Sequence, residues 1–385
     1  MTASRIALLA LGALVGSACS RAVIREPGPM PPQAPAAEIV TTLFLIGDAG
    51  APHDDEPVLA ALEQAVRAAG PSRYIVVLGD NIYPRGLPDT GSVGREEAER
   101  RIDAQIAVAL RTETKTYFVP GNHDWDYMGP EGWEFIRRQG DYIERHGRPF
   151  AVQIPAGGCP GPAGVDLGDR VRLVALDTQW WLHDFEKPRD STSACRFYDV
   201  RGVAIGLDRM LGTAGTRHVI VAGHHPLISG GEHGGHLGLE AHFFPLRTIV
   251  DWGWVPMPIL GSSYAFNRAQ GASNQDVRGP ENVRMRRVLN WVFTRRKPLI
   301  YAAGHEHSLQ VFRGRTAQTL LVSGTGVAGH VSHVHTLPNT RFAVAQGGFM
   351  RLDVLRDGRV RLGVIVVQDD GVAAEAWADL LRDES

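Results

Sequence analysis

Apolar residues in this chain gather in short runs that end in a glycine, and polar residues follow that glycine directly. The five runs are TLFLIG before Asp48, YIVVLG before Asp80, TYFVPG before Asn122, HVIVAG before His224 and PLIYAAG before His305. Runs this rich in Val, Ile and Leu predict strands that are buried on both faces. The glycine permits the sharp turn by which each strand enters a loop.

The segments between the first three runs have helical spacing of apolar residues. Strands and helices therefore alternate, with strands to Ile46, Leu78 and Val119 and helices near 56–69, 96–110 and 131–145. This βαβαβ order predicts parallel pairing with right-handed crossovers.

After Phe150 the pattern changes to shorter strands, which include VRLVALD, and a helix follows near 203–211. Residues 310–367 contain several alternating β stretches and no strong helix. We therefore predict an α/β fold, a four-layer αββα sandwich in which two mixed β-sheets are flanked by helices.

The residues that follow the strands share one property, since they are of types whose side chains can bind metal ions. In an α/β sheet, ligands bind beyond the carboxyl ends of the strands, so these loops should converge. Seven donors are too many for one tetrahedral ion, but two ions that share a bridging carboxylate would use them all. Two such ions clamp the attacking and leaving oxygens at phosphorus, which predicts phosphate ester hydrolysis. The donors are Asp48, Asp80, Tyr83, Asn122, His224, His305 and His307.

The first residues predict export. Residues 1–18 contain Arg5, an apolar stretch and small residues that end at Ala18, the pattern of a signal peptide too short to remain as a membrane span. Small residues up to Ala18 suit ordinary signal peptidase. Cys19 directly after them resembles the acylated cysteine of a bacterial lipobox, although Gly16 stands where an aliphatic residue is usual. We therefore expect a periplasmic or extracellular protein, either free or anchored to a membrane through lipid at Cys19.

The rest of the chain divides by composition. Residues 19–38 form a proline-rich tether, 39–372 a single catalytic domain and 373–385 a C-terminal tail. Within the domain, residues 236–282 are rich in Gly, Pro and aromatic residues without a clear period, which predicts a long loop insertion. It lies between two of the motifs, so we expect it near the site, where it would form a wall of the pocket, the alternative being a packed surface loop away from the site.

Net charge and cysteine content bear on the expected partners and on the redox state of the protein. The formal charge of −2 gives no global basic field, so no nucleic-acid partner is expected, and we expect a monomer that binds a small phosphorylated substrate. Cys159 and Cys195 should form a disulfide in an oxidising compartment, the alternative being two free thiols.

Taken in order, GDAG, GDNIY, GNHD, VAGH and GHEH resemble the five motif blocks of the purple acid phosphatases, within the calcineurin-like metallophosphoesterases. GDNIYPRGL, ALDT, AGHHPLISGGEHG and GHEHSLQ resemble the small, tartrate-resistant type, here in a bacterial exported form. The resemblance spans residues 45 to about 330 and implies the metallophosphoesterase fold. It also implies a first ion, usually ferric, held by Asp48, Asp80, Tyr83 and His307. A second ion, Fe(II), Zn(II) or Mn(II), would be held by Asp80, Asn122, His224 and His305.

Tyr83 distinguishes this type from its wider superfamily, in which the first block is Asp-x-His. Gly50 stands in the place of that histidine. A phenolate from Tyr83 would replace the lost imidazole, and a hard, charged oxygen donor suits a ferric ion.

Two histidines match family positions that act without binding metal. His123 in GNHD and His233 in GEHG correspond to residues that contact the phosphoryl group and the leaving oxygen, which an imidazole can protonate. Asp124 would orient His123 through its ring N–H. The resemblance thus implies an acid phosphatase that hydrolyses phosphomonoesters by in-line attack of a metal-bound hydroxide.

Two other functions stay open at this point. One is a phosphodiesterase or nucleotide-specific hydrolase with Mn or Zn in both sites, and the other is an exported binding protein without turnover.

Several residues near the blocks have structural interpretations. We expect Asp177 to be a cap or turn residue, His53 and His225 to be solvated or hydrogen-bonded, and the histidines of GHVSHVH (330, 333 and 335) to lie on a surface ribbon.

Overall fold

The computed structural model describes residues 24–25, 29–248, 253–368 and 370–383. The predicted signal peptide, residues 1–18, and Cys19 lie outside the described residues. The strands are β1 Ile24–Arg25, β2 Ile39–Ile46, β3 Arg73–Val77, β4 Lys115–Phe118, β5 Ala151–Gln153, β6 Ala163–Leu167, β7 Val171–Ala175, β8 His218–Ala222, β9 Ile300–Ala303, β10 Leu309–Arg313, β11 Thr319–Ser323, β12 Thr340–Val344, β13 Gly348–Leu355, β14 Val360–Val367 and β15 Ala373–Leu381. The α-helices are α1 Pro57–Ala68, α2 Arg95–Thr112, α3 Gly132–Gly147, α4 Thr178–Leu182, α5 Val200–Gly212, α6 Leu239–Phe243, α7 Pro258–Ala269 and α8 Pro280–Arg296.

These strands form two mixed sheets. One has the order β15-β14-β13-β2-β3-β4-β5 and the other the order β1-β12-β10-β11-β9-β8-β7-β6. The predicted parallel pairing of β2, β3 and β4 is confirmed, and Ile46 lies opposite Val77, which lies opposite Phe118. Because these strands end level with one another, the loops that follow them share one edge of the sheet.

Alternating side chains place the sheets between two helical layers. Leu43 and Leu45 of β2 belong to an inner core that also holds Ile220 of the other sheet. Phe44 and Ile46 point the opposite way, into a core shared with α1, α2 and α3. The outer face of the second sheet packs on α4, α5 and α8. These three cores confirm the αββα sandwich.

The segment 236–282 differs from the irregular loop that its sequence predicts, because it contains α6, α7 and the first residues of α8. The sequence shows no clear helical period there, because the buried positions of α7 hold small residues. Gly261 and Ala265 form the buried face of α7, and a Cβ on Gly261 would lie 2.2 Å from the carbonyl oxygen of His242 in α6. Two helices that cross this closely need no apolar stripe of large side chains.

The predicted C-terminal tail, 373–385, is also wrong over most of its length. Ala373–Leu381 forms β15, which pairs antiparallel with β14 along its full length. Trp377 is buried in the inner core and stacks on Phe342 at a ring-centroid distance of 5.9 Å. The domain therefore extends to β15.

Two further findings concern the cysteines and the possibility of a membrane-spanning helix. Cys159 and Cys195 form a disulfide bond, as expected. In the part of the chain that is described, no helix combines the length and the apolar character needed to cross a membrane.

Candidate metal centre

The strand-end turns aim the predicted donor side chains at one place. Asp48, Asp80 and His305 have left-handed backbone angles, with φ of 56°, 53° and 70°. Non-glycine residues adopt such angles where the surrounding structure fixes them. The backbone N–H of His305 donates to Asp48 Oδ2 at 2.8 Å, which ties a turn of one sheet to a turn of the other.

One group of donors surrounds the phenol of Tyr83. Its hydroxyl oxygen lies 3.0 Å from Asp48 Oδ1, 3.1 Å from Asp80 Oδ2 and 3.1 Å from His307 Nε2. His307 Nε2 is 3.5 Å from Asp48 Oδ1. The structure thus brings together the four residues expected at the first ion.

A second group of donors lies directly beside the first. Asn122 Oδ1 is 3.0 Å from both His224 Nε2 and His305 Nδ1, and these two nitrogens are 3.2 Å apart. His224 Nε2 is also 3.3 Å from Asp80 Oδ2. The four residues expected at the second ion are therefore together, and Asp80 Oδ2 touches both groups.

Backbone carbonyls define which ring nitrogens face this second group. His224 Nδ1 lies 2.8 Å from Leu78 O, and His305 Nε2 lies 3.1 Å from Gln275 O. A carbonyl only accepts, so these nitrogens carry hydrogens, and in the neutral rings the opposite nitrogens present lone pairs. Two lone pairs then face each other and the amide oxygen of Asn122, an arrangement that a cation stabilises.

The electrostatics of the first group also favour cations. Burial and the carboxylates of Asp48 and Asp80 raise the pKa of the Tyr83 phenol well above its ordinary value. In the second group, burial opposes a charge on His224, but the same carboxylates outweigh it and raise the pKa of His224 to about 9. A metal ion at His224 Nε2 would take the place of the proton that the carboxylates favour there. A phenolate at Tyr83 therefore requires a multivalent cation beside it. The donor set fits two metal ions that share Asp80.

His123 stands at the edge of the first group. Its Nδ1 donates to Pro84 O at 2.6 Å, and its Nε2 is 3.9 Å from Asp80 Oδ2. The expectation that Asp124 orients this ring is wrong. Asp124 instead accepts hydrogen bonds from the backbone N–H groups of Asn81 at 2.9 Å and of Gly121 at 2.8 Å. Asp124 shapes the loop that carries Asp80, and a carbonyl orients His123.

His233 lies beside the second group, with its ring centroid 3.9 Å from that of His305. Its Nδ1 is 3.1 Å from Asp276 Oδ1 and 3.2 Å from Arg268 Nη2. Arg268 donates twice to Asp276, at 2.7 Å each, and once to the Tyr264 hydroxyl at 2.8 Å. The segment 236–282 therefore supplies the side chains that hold His233.

Glu306, which lies between the predicted ligands His305 and His307 in sequence, holds the loop that carries His233. Its buried carboxylate accepts from Ser229 Oγ at 2.6 Å and from Gly234 N at 3.1 Å. The carboxylate therefore anchors both ends of the turn that carries His233.

His225 is close enough to His224 and His305 for one nitrogen of each ring to lie within 4.8 Å of the others. Both nitrogens of His225 are already bonded. Thr178 Oγ1 accepts two backbone N–H groups at 3.1 Å, so its hydroxyl hydrogen points to His225 Nδ1 at 2.8 Å. His225 Nε2 then donates to Gln275 Oε1 at 2.6 Å. The expectation of a hydrogen-bonded histidine is confirmed.

Asp177 caps a helix, as expected. It accepts from Trp180 N at 3.1 Å at the start of α4 and from the Trp125 indole at 3.0 Å.

His333 and His335 are exposed, but the surface-ribbon interpretation is wrong for His330. That ring is half-buried and lies 3.9 Å from the ring of His307, a proximity that no motif in the sequence signals.

The sequence matches the model of the calcineurin-like phosphoesterases over residues 41–309, the part that contains both donor groups. The chain belongs to this family. No curated protein is similar enough in sequence to match it.

Three solved structures share the fold of this chain. The yellow lupin (Lupinus luteus) seed purple acid phosphatase PPD1 has a TM-score of 0.54 and 13% identity, covering 91% of this chain and 55% of that one. GAP50, the anchor in the inner membrane complex of Plasmodium, has a TM-score of 0.51 and 13% identity, covering 90% and 89%. PhoD has a TM-score of 0.51 and 12% identity, covering 91% and 70%. Identities this low show a shared fold alone.

Proposed function

We propose that this chain is a binuclear, metal-dependent acid phosphatase that hydrolyses small phosphomonoesters. The observation that carries the proposal is the position of Asp80 Oδ2, 3.1 Å from the Tyr83 hydroxyl in one donor group and 3.3 Å from His224 Nε2 in the other. A carboxylate shared in this way would hold two cations side by side, so that both could act on one phosphoryl group.

The donors differ between the two groups in a way that supports different ions. The first group contains a phenol and carboxylates, hard oxygen donors that suit Fe(III). The second contains two imidazoles and an amide oxygen, which suit Fe(II), Zn(II) or Mn(II). When bound, the ions supply Lewis acidity, which neutralises charge on the phosphoryl oxygens and lowers the pKa of water.

The chain's own residues act on the leaving group. His123 and His233 stand beside the two donor groups, one held by the Pro84 carbonyl and the other by Asp276. Each ring is fixed through Nδ1, which leaves Nε2 free to donate to the phosphoryl group or to the departing oxygen. Protonation of that oxygen helps the alcohol to leave.

We also propose that the protein is of the small, exported purple acid phosphatase type. The five motif blocks and the signal-like residues 1–18 support this type, as does the fold shared with the lupin enzyme. The Cys159–Cys195 disulfide supports an oxidising compartment. Acylation of Cys19 would add a membrane anchor.

Metal analysis, a visible spectrum and hydrolysis assays on protein purified without added metals test the proposal. We expect two ions per chain including iron, a visible band from a ferric phenolate, and faster hydrolysis of phenyl phosphate than of diphenyl phosphate. Tyr83→Phe should remove the band, whereas Tyr74→Phe, on a strand away from the donors, should keep it. A colourless, iron-free protein that prefers the diester would identify a phosphodiesterase, and fully loaded protein without any hydrolysis would indicate a binding function.

A further inference from the structure

The loop after GNHD has an unusual backbone. Asp126, Tyr127 and Met128 all have left-handed φ angles, of 56°, 47° and 67°. Non-glycine residues visit this conformation singly and seldom in succession, because Cβ crowds the following carbonyl oxygen. Such strain persists only where the surroundings impose it, and it concentrates at functional sites.

The neighbours of this turn hold it in place. Arg85 Nε donates to Asp126 Oδ1 at 2.8 Å, and Met128 N donates to Trp125 O at 3.0 Å. Gly129 lies close against the turn, since a Cβ there would lie 2.2 Å from Asp126 Oδ2 and 2.9 Å from Asp126 O. The strained conformation is therefore a fixed feature of the loop.

The turn buries Asp126 and presents Tyr127, whose side chain is about half exposed to solvent. Tyr127 is 52% exposed, and no described residue hydrogen-bonds to its hydroxyl. Its ring lies 4.5 Å from the His123 ring with the planes 31° apart, and the other neighbour of His123 is Tyr83 at 4.3 Å. Three rings thus lead from the donor groups outward, and the outermost one has a free face.

We propose that Tyr127 is a specificity residue that stacks on an aromatic leaving group, so that the preferred substrates are phosphomonoesters of phenols. The inference rests on the proposed phosphatase function. A phosphoryl group bound at the donor groups, with its ester oxygen near His123, would direct the rest of the substrate toward Tyr127. An aryl group there finds an exposed ring in reach for offset stacking, and an alkyl group finds no equivalent partner.

Binding of two phosphonates to the metal-loaded protein measures the stacking without turnover. Phenylphosphonate and methylphosphonate carry the same charged head, so their affinity ratio reports the aryl contact. We expect phenylphosphonate to bind about fivefold to tenfold more tightly, Tyr127→Ala and Tyr127→Leu to abolish this preference, and Tyr127→Phe to keep it. Trp291→Ala removes an equally exposed ring (56%) on α8 and should change nothing.

Hydrolysis of phenyl phosphate and glycerol 2-phosphate then separates this proposal from the function on which it rests. Tyr127→Leu should lower kcat/KM for the aryl ester about fivefold to tenfold and for the alkyl ester less than twofold. Equal losses for both esters, or equal binding of both phosphonates by the unaltered protein, would overturn the role of Tyr127. Selective phosphonate binding without hydrolysis of either ester would contradict the proposed function and leave the aromatic site intact. Metal content and thermal denaturation establish that each variant is folded.

Discussion

Asp276 is the residue that most directly governs His233, although neither a motif nor proximity in sequence connects them. Its carboxylate is 1% exposed, and two hydrogen bonds from Arg268 at 2.7 Å hold it in place. Burial opposes its ionisation, but the hydrogen bonds from His233 and Arg268 outweigh burial and lower the pKa of Asp276. A negative charge is therefore fixed beside Nδ1 of His233.

Asp276→Asn should lower kcat about 10- to 100-fold with little change in KM, because the amide keeps the shape and loses the charge that orients and polarises the ring. Steady-state kinetics on protein with full metal content measures this split. Asp208→Asn is the matched control. Asp208, on α5, also accepts two hydrogen bonds from an arginine, Arg296, at 2.7 and 2.8 Å. An Asp276 variant with unchanged kcat would show that His233 needs no carboxylate partner.

At this scale the sequence predicts some site residues and misses others for a physical reason. Each predicted donor follows a buried strand and stands in a recognisable block. Asp276 and Arg268 are 43 and 35 positions from His233 and follow no strand, so only the folded segment brings them to the ring. The motif GNHD places Asp124 next to His123, but the turn directs the Asp124 carboxylate to the backbone N–H groups of Asn81 and Gly121 instead.

At the scale of elements, the turns at the strand ends determine the site more than the strands do. Gly121 lets the loop after β4 approach Asp80, because a Cβ there would lie 2.2 Å from Asp80 N and 2.3 Å from Asp80 Oδ1. Gly121→Ala must therefore displace Asp80. We expect metal occupancy to fall at least tenfold in dialysed protein and hydrolysis to fall with it. Gly70→Ala, where nothing lies within 4 Å, should retain both ions, and an equal loss there would refute the steric argument.

Elements were predictable where burial alternates with exposure. The helix expected near 56–69 is α1, Pro57–Ala68, whose buried residues recur on one face. α7 was missed because Gly261 and Ala265 form its buried face. β15 was missed because its first residues are exposed and it lies at a sheet edge, so only Trp377 and its neighbours carry an apolar signal.

At the scale of the whole molecule, the site depends on how the two sheets meet. Asp48, Asp80 and Asn122 follow strands of one sheet, and His224 and His305 follow strands of the other. The sequence could predict that each set lies at strand ends. It could not predict the register between the sheets, which arises from packing of the inner core and is visible in contacts such as that between Asp48 and the N–H of His305.

The disulfide joins the layers around this junction. Cys159 follows β5, the edge strand of the first sheet, and Cys195 precedes α5, which covers the second, at a sequence separation of 36. Closing a loop of this length restricts the unfolded chain, so replacing both cysteines with serine should cost about 2–4 kcal/mol of stability and lower the melting temperature by several degrees. The donor groups lie elsewhere, so kcat and metal content at 25 °C should stay within about twofold of the unaltered protein. Differential scanning calorimetry with and without reductant measures the shift, and reductant should not alter the double variant. An unchanged melting temperature together with lost activity would mean that the disulfide positions the site and does not stabilise the packing of the layers.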